Sequence, residues 1–343
     1  MKKIKQFNLI LGDNNVGKTS VLEALTFNDL PNAFLNCLFS IFYDKSGVLH
    51  LTSESFSNIK YFKNFIKKNN QLENQFIKYT YESISNNINE IKIEIINDYS
   101  FNKSIVDNLL NNCFLEINKL PNEILKFKRN NKIDYFSFDF QSHKIKDDST
   151  YYPFVKTGLA YNIDIVDHFS DTILSDINLK KEFLNHIKLF SNEIYDFSIS
   201  TTEIPKMNTL MVLFENGGSL PLFMMGDGTI RLVRLILEIL KSKNSRLMID
   251  EIDNGIHFSR MKEVWRVILK VAKQNNTQLF LTTHDAECLK MFKEVLEEED
   301  MVDLQNDVAC FTLFRNKEKM VDSVQYNFKE FEHAIDYSLN IRG

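Results

Sequence analysis

The sequence is short of the residues that usually announce special chemistry. Its four cysteines, Cys37, Cys113, Cys288 and Cys310, lie far apart, with no CxxC pair and no His/Cys cluster. That excludes a sequence-encoded zinc site and a disulfide framework, and makes a reducing cytoplasm the expected compartment. No apolar run reaches the roughly 18 to 20 residues that span a bilayer, and no signal peptide is read, so no membrane partner is expected. Basic charge is not in excess: 41 Lys+Arg against 46 Asp+Glu give a net charge of -5 and a pI near 5.9. A surface coated for nucleic acid is thereby excluded, though a local basic stripe is not. Tryptophan occurs once and glycine only 10 times in 343 residues. No internal repeat and no low-complexity linker is found.

What is present is an ordinary globular composition, 44% hydrophobic and 25% charged. It suffices for a core in one large or two modest domains. The abundance of Phe, Asn, Ile and Lys reflects an AT-rich coding bias. Along the chain, "FNLILG" reads as an apolar strand followed by a Gly-rich turn and a helix. The stretch 45–150 is a mixed insertion: Tyr61–Ile84 has helical spacing, while "NEIKIEIIND" and "NKIDYFSFDFQSH" alternate as strands. Beyond it come an amphipathic helix running into a strand, a hairpin turning at Asn216-Gly217-Gly218, and a helix opened by "MMGDGT". Two apolar strands, Leu247–Ile249 and Gln278–Leu281, then flank a long helix. A short helix, the acidic run "EEED" (a solvated helix end) and two strands close the chain. Strands alternating with helices indicate a mostly parallel sheet.

Gly12-Asp13-Asn14-Asn15-Val16-Gly17-Lys18-Thr19 matches G-x-x-x-x-G-K-[ST] at every fixed position, between an apolar strand and a helix. Glycines let backbone N–H groups of Asn14, Asn15, Val16 and Ser20 close around phosphate, and the helix N-terminus adds a positive dipole end. Lys18 reaches the β- and γ-phosphates of ATP, and Thr19 ligates Mg²⁺. "RLMIDEIDNGIH" sets two carboxylates at a strand end. Asp250 would hold Mg²⁺ and Glu251 would orient and deprotonate the attacking water. Alone, a solvated acidic turn is the plainer reading; beside a P-loop, the Walker B reading is preferred. His284 follows the next strand, at the same sheet edge, placed to hydrogen-bond the γ-phosphate.

In this order the motifs resemble an ABC-type ATPase head of the Rad50, SMC and RecF group. More closely they resemble the OLD-like (overcoming lysogenisation defect) ATPases of bacterial anti-phage systems. The stretches that carry the resemblance are "LILGDNNVGKTSVLEAL", "PLFMMGDGTIRLVRLILEIL", "RLMIDEIDNGIHFSRMKEVWRVILK", "NNTQLFLTTHDAECL" and "HAIDYSLNIRG". The resemblance implies an α/β fold: a P-loop NTPase with a mostly parallel sheet flanked by helices, an antiparallel β layer and a helical or mixed insertion. It implies one head over 1–343, with a lobe at 205–343 carrying the signature, Walker B and H-loop. By the same resemblance, Gly226, Asp227, Gly228 and Thr229 form the signature loop, seated on the γ-phosphate of ATP bound to a second protomer. Gly226 stands where that family has a serine, and Asp227 replaces a glycine. Asp253–His257 is the matching D-loop, with a plain turn as the alternative, and Gln141 is the candidate Q-loop metal ligand. Two departures stand out. The P-loop begins at Gly12, without the β-strand residues that usually precede it, so either the outer β-layer is shortened or the start at Met1 is internal; and 285–343 is too short for the TOPRIM nuclease of many OLD proteins.

The function implied is an Mg²⁺-dependent ATPase that sandwiches ATP in a homodimer, or a higher assembly of such pairs, and controls a separate effector, a nuclease or toxin, in phage defence. The alternatives are a DNA-maintenance ATPase of the RecF or SMC kind that binds duplex DNA, with "KYFKNFIKK" and "LKFKRNNK" as its phosphate contacts, and an ATP-gated scaffold with little turnover. Glu251 weighs against the scaffold, and the absence of long heptads weighs against SMC arms.

Overall fold

The structure is a computed structural model, and it describes residues 4–27, 76–82, 88–97, 101–113, 120, 123–137, 152–156, 164–203, 206–318 and 320–337. The chain divides into two compact units, Met1–Thr26 with Tyr152–Gly343, and Phe27–Tyr151. The first unit opens with β1 (Phe7–Gly12), buried along its whole length, and α1 (Lys18–Leu25).

The second unit holds a four-stranded antiparallel sheet in the order β2 (Phe76–Glu82), β3 (Ile88–Asn97), β4 (Glu123–Arg129) and β5 (Lys132–Ser137). The helix expected across Tyr61–Ile84 is corrected here, because 76–82 is strand. Phe76, Ile77, Tyr79, Thr80 and Tyr81 are aromatic or β-branched and suit a pleated surface, and β3 supplies the ladder that the local spacing ignored. The rest of that expected helix lies outside the described residues, as do "KYFKNFIKK" and Gln141. Helix α2 (Lys103–Asn112) is capped by Asn102 and docked by asparagine. The Asn108 side chain accepts from the Tyr135 N–H at 2.8 Å, and Asn112 donates to the Tyr135 carbonyl at 3.2 Å. Some of the asparagine that read as compositional bias therefore does structural work.

Returning to the first unit, β6 (Phe154–Val155) precedes α3 (Asp164–His168), a π-helical turn and α4 (Ile177–Lys188). A three-stranded antiparallel sheet follows: β7 (Ile194–Glu203), β8 (Lys206–Phe214) and β9 (Ser219–Pro221), its last turn at the expected Asn216-Gly217-Gly218. Then come α5 (Asp227–Lys241), β10 (Arg246–Ile249), α6 (Met261–Gln274), β11 (Gln278–Thr282), α7 (Ala286–Leu296), β12 (Val308–Arg315), β13 (Val321–Tyr326) and α8 (Phe328–Asp336).

The main sheet runs β13-β12-β1-β11-β10-β6, parallel except for the edge strand β13. Its inner strands β1, β10 and β11 are continuous apolar runs, as sheets covered on both faces require. Alternation sorts them: Leu9, Leu11, Leu247, Ile249, Leu279 and Leu281 face a large core shared with α5, α6 and α7. Ile10, Met248 and Phe280 face a smaller one with Val16 and Leu22 beneath α1. The P-loop strand is central, and the chain crosses from β10 through α6 to its parallel neighbour β11. The ends of β1, β10 and β11 therefore lie at one sheet edge, where such sheets gather their ligands.

Candidate active site

The P-loop is built by backbone geometry. Gly12 (φ 146°) and Gly17 (φ 110°) hold left-handed-side conformations closed to most side chains. A Cβ on Gly12 would sit 2.7 Å from the Leu313 carbonyl oxygen and 2.8 Å from Val16 Cγ1. The Val16 side chain plugs the small core, so it anchors the loop and offers a ligand only its backbone. Asn14, Asn15, Thr19 and Ser20 are exposed. Helix α1 starts on Gly17 with no side-chain cap, and α5 starts on Gly226 in the same way. By contrast, α2, α4, α7 and α8 are capped by Asn102, Asp176, Asp285 and Asn327. Helix α6, which starts on Arg260, also lacks a side-chain cap, so α1 and α5 share an uncapped start that can receive an acceptor but are not alone in it.

Lys18 leans back over the loop, its Nζ donating to the carbonyls of Gly12 at 2.6 Å and Asp13 at 3.1 Å. Burial lowers its pKa, against the pull of the Asp250, Glu251 and Asp13 carboxylates. Opposite it, the Thr19 hydroxyl donates to Asp250 Oδ2 at 2.9 Å, and Thr282 donates to Oδ1 at 2.6 Å. Thr19 and Asp250 offer hard oxygens side by side, a set that fits a small divalent cation sharing phosphate and water oxygens. Among the described residues no cluster of three or more His, Cys, Asp or Glu stands ready for a metal, so the pair needs those extra oxygens to complete a shell.

Glu251 turns the chain off β10 in a left-handed conformation, φ 46°, a cost that non-glycine residues bear mainly at functional positions. Its N–H donates to Thr282 Oγ1 at 2.8 Å. Its carboxylate reaches toward His284, whose Nδ1 lies 3.7 Å from Oε1. Lys18, Thr19, Asp250, Glu251 and His284 therefore meet in one place. The loop Gly226–Thr229, expected as a signature loop, does not join them: among the described residues, none of Gly226–Thr229 bonds to the P-loop. It packs instead on Asp253–His257, the segment expected as a D-loop, where a Cβ on Gly228 would lie 3.7 Å from the Gly255 carbonyl oxygen. Asp227 is exposed in the first turn of α5, where a carboxylate is favoured by the helix dipole. His257 caps the short turn before α6, accepting from the Ser259 N–H, and stacks on Phe258.

Two residues escaped the motif reading. Thr282 joins Asp250 to Glu251, and its signal was a hydroxyl at the tip of "FLTTHD". Arg231 of α5 donates to the Asp250 and Glu251 carbonyls; its signal was an arginine on the buried face of an apolar run.

Residues 7–289, well over half of the chain, match the family described as "AAA domain, putative AbiEii toxin, Type IV TA system". A curated protein of Helicobacter pylori (strain ATCC 700392 / 26695) called "ATP/GTP phosphatase" is 24% identical, over 98% of this chain and 94% of its own length. Among solved structures, the SMC head domain from Thermotoga maritima aligns over 93% of this chain and 90% of its own, at 13% identity and TM-score 0.43. An SmcHead bound to the C-winged helix domain of ScpA aligns over 95% and 92%, at 11% identity and TM-score 0.43. With a P-loop, an acidic strand end and a histidine gathered at one edge of a mostly parallel sheet, the chain has a P-loop NTPase fold, is an ATPase, and belongs to this family of AAA domains.

Proposed function

We propose that the chain is an Mg²⁺-dependent ATPase of the OLD-like kind, two copies of which enclose ATP and thereby switch a separate effector, a nuclease or toxin, in anti-phage defence. The observation that carries the catalytic part is the hydrogen-bonded chain Thr19–Asp250–Thr282–Glu251. It ties the proposed metal-binding pair to the backbone of the proposed general base, which supports this reading. Mg²⁺ held by Thr19 and Asp250 would supply charge neutralisation on the phosphates. Lys18 exchanges its carbonyl partners for phosphate oxygens. Glu251 takes the proton of the attacking water, and His284 donates to the γ-phosphate while steering the Glu251 carboxylate.

The pairing is argued from the family resemblance, and the start of α5 supports it. No side chain caps it, which suits an anion, and among the described residues none of Gly226–Thr229 bonds to the P-loop of its own chain, as a loop serving a second copy's phosphate would require. The family description names a toxin of a toxin–antitoxin system, which agrees with a defence role. In sedimentation analysis, Glu251→Gln with ATP and Mg²⁺ is expected to form a stable dimer and to hydrolyse ATP at least about a hundred-fold more slowly than wild type, the order expected for loss of a general base. Wild-type turnover in that variant would remove Glu251 from its role, and a monomer at saturating ATP would remove the pairing.

The DNA-binding alternative has one local support, the basic hairpin of β4 and β5. There Lys126 is engaged with Glu94 at 2.9 Å, while Lys128 and Lys132 are exposed. Binding of a duplex that weakens steeply with salt would favour it.

A further inference from the structure

Arg231 is 2% exposed, and a cation at that depth is tolerated only when its donors are met and its charge is answered. Nη2 donates to the Asp250 carbonyl at 3.1 Å and to the Glu251 carbonyl at 3.3 Å, and Nη1 donates to the Lys156 carbonyl at 3.3 Å. Nε has no partner. Burial, then the neighbouring Arg234, pulls its pKa down to about 10, against Asp250, Asp253 and Glu251. A residue this costly is not needed to hold the sheet. Strand β10 is already laddered to β6 and β11 up to Ile249, and the Asp250 N–H is taken by the Val155 carbonyl at 2.9 Å. What Arg231 grips is the short stretch where the chain leaves the strand and turns left-handed at Glu251.

The other end of that grip is the signature helix. Arg231 lies three residues after Gly228, about one helical turn along α5. The first turn of α5 also touches the D-loop: a Cβ on Gly255 would lie 3.7 Å from Asp227 Cβ. A displacement of the start of α5 therefore has a rigid route, through one planar guanidinium, to the two peptide groups that carry Asp250 and Glu251.

We propose that Arg231 is a positioning residue: it ties the backbone of Asp250 and Glu251 to the first turns of α5, so that a phosphate seated on the signature loop sets the aim of the Glu251 carboxylate. This rests on the proposed roles of Glu251 and of the signature loop. A polyphosphate drawn onto the N-terminus of α5 loads the helix along its axis. The load reaches Glu251 through the Arg231 hydrogen bonds rather than through the P-loop. Nucleotide capture by Lys18 and Thr19 is independent of it. Each half-site of a pair then reports to its own base whether the partner's nucleotide is in place.

The test compares Arg231→Lys, Arg231→Gln and Glu251→Gln with wild type, measuring ATP affinity with a fluorescent ATP analogue and steady-state kcat and KM. Arg231→Gln is expected to bind the analogue within about two-fold of wild type and to lose about ten- to a hundred-fold in kcat, the scale of a misplaced catalytic group. Arg231→Lys, with a single ammonium able to serve one carbonyl, is expected to fall between. If Glu251→Gln is inactive while a folded Arg231→Gln keeps kcat within two-fold, the proposal is overturned and the base assignment stands. If Glu251→Gln turns over like wild type, both fall. Equal losses of binding and turnover in the two Arg231 variants would make Arg231 a plain structural residue and overturn the proposal. Should Arg231→Gln fail to fold, the same constants for Arg231→Lys decide.

Discussion

At the scale of single residues, the site is a set of charges held by partners distant in sequence. Lys18 rests on the Gly12 and Asp13 carbonyls, and in the proposed role it exchanges them for phosphate. Lys18→Ala is expected to lower ATP affinity by about ten- to a hundred-fold, the worth of a charged hydrogen bond, as read by titration calorimetry. His186 gives a stability prediction. It is 5% exposed, and neither ring nitrogen finds a hydrogen-bond partner, Glu182 standing 3.7 Å away. Burial lowers its pKa more than Glu182 raises it. The unfolded chain therefore takes up a proton near the ordinary histidine value, about 6.5, which the folded chain refuses until the pH is lower. Stability is full above that value and falls as the pH drops below it, by at most about 1.4 kcal/mol per pH unit for this one proton. His186→Phe is expected to flatten that part of the profile in urea melts at pH 5 to 7. That Lys18, Asp250 and Glu251 lie together was legible because each belongs to a motif of fixed spacing at a strand end. Thr282 and Arg231 were not, because their partners lie 31 and 20 residues away, at Glu251 in both cases, and no local pattern encodes a contact made by folding.

At the scale of elements, sequence period located five of the six strands of the main sheet and the helices between β9 and β12, since buried parallel strands and amphipathic helices have strong patterns; the two-residue strand β6 is too short to show one. It misread Phe76–Glu82, where apolar spacing fitted a helix but the residue types and the ladder with β3 favour strand. It read "EEED" as a solvated helix end, and Glu297, Glu299 and Asp300 are exposed there; the same run also carries ion pairs. In the structure Glu298 pairs with Arg266 at 2.5 Å and Asp300 with Lys270 at 2.6 Å, part of a series from α6 that includes Lys262–Glu294 and Lys273–Asp307. Such exposed pairs contribute little each, but they fix how the chain leaves α7. The junction of β1, β12 and the P-loop is less forgiving. Gly12→Ala puts a methyl group 2.7 Å from a backbone oxygen that cannot move aside. It is expected to cost about 1–3 kcal/mol, measured as a lower urea midpoint.

At the scale of the whole molecule, the proposed pair makes a prediction that no single chain can meet. Lys18→Ala spoils the P-loop, and Gly228→Glu puts a charged side chain into the proposed signature loop, its Cβ 3.7 Å from the Gly255 carbonyl oxygen. Each variant alone is expected to be inactive. Mixed one to one, they are expected to regain part of the ATPase rate, because one composite site then has an intact half from each chain. A mixture as silent as its components would mean that each chain completes its own site. Within such a pair, the carboxylate of Asp227 at the head of α5 has a further consequence. The helix arrives at its neighbour's nucleotide with its positive end already partly answered by its own side chain. The two copies then meet by a handshake rather than a latch, and the lifetime of the joined state becomes a quantity that a single side-chain swing can lengthen or cut short.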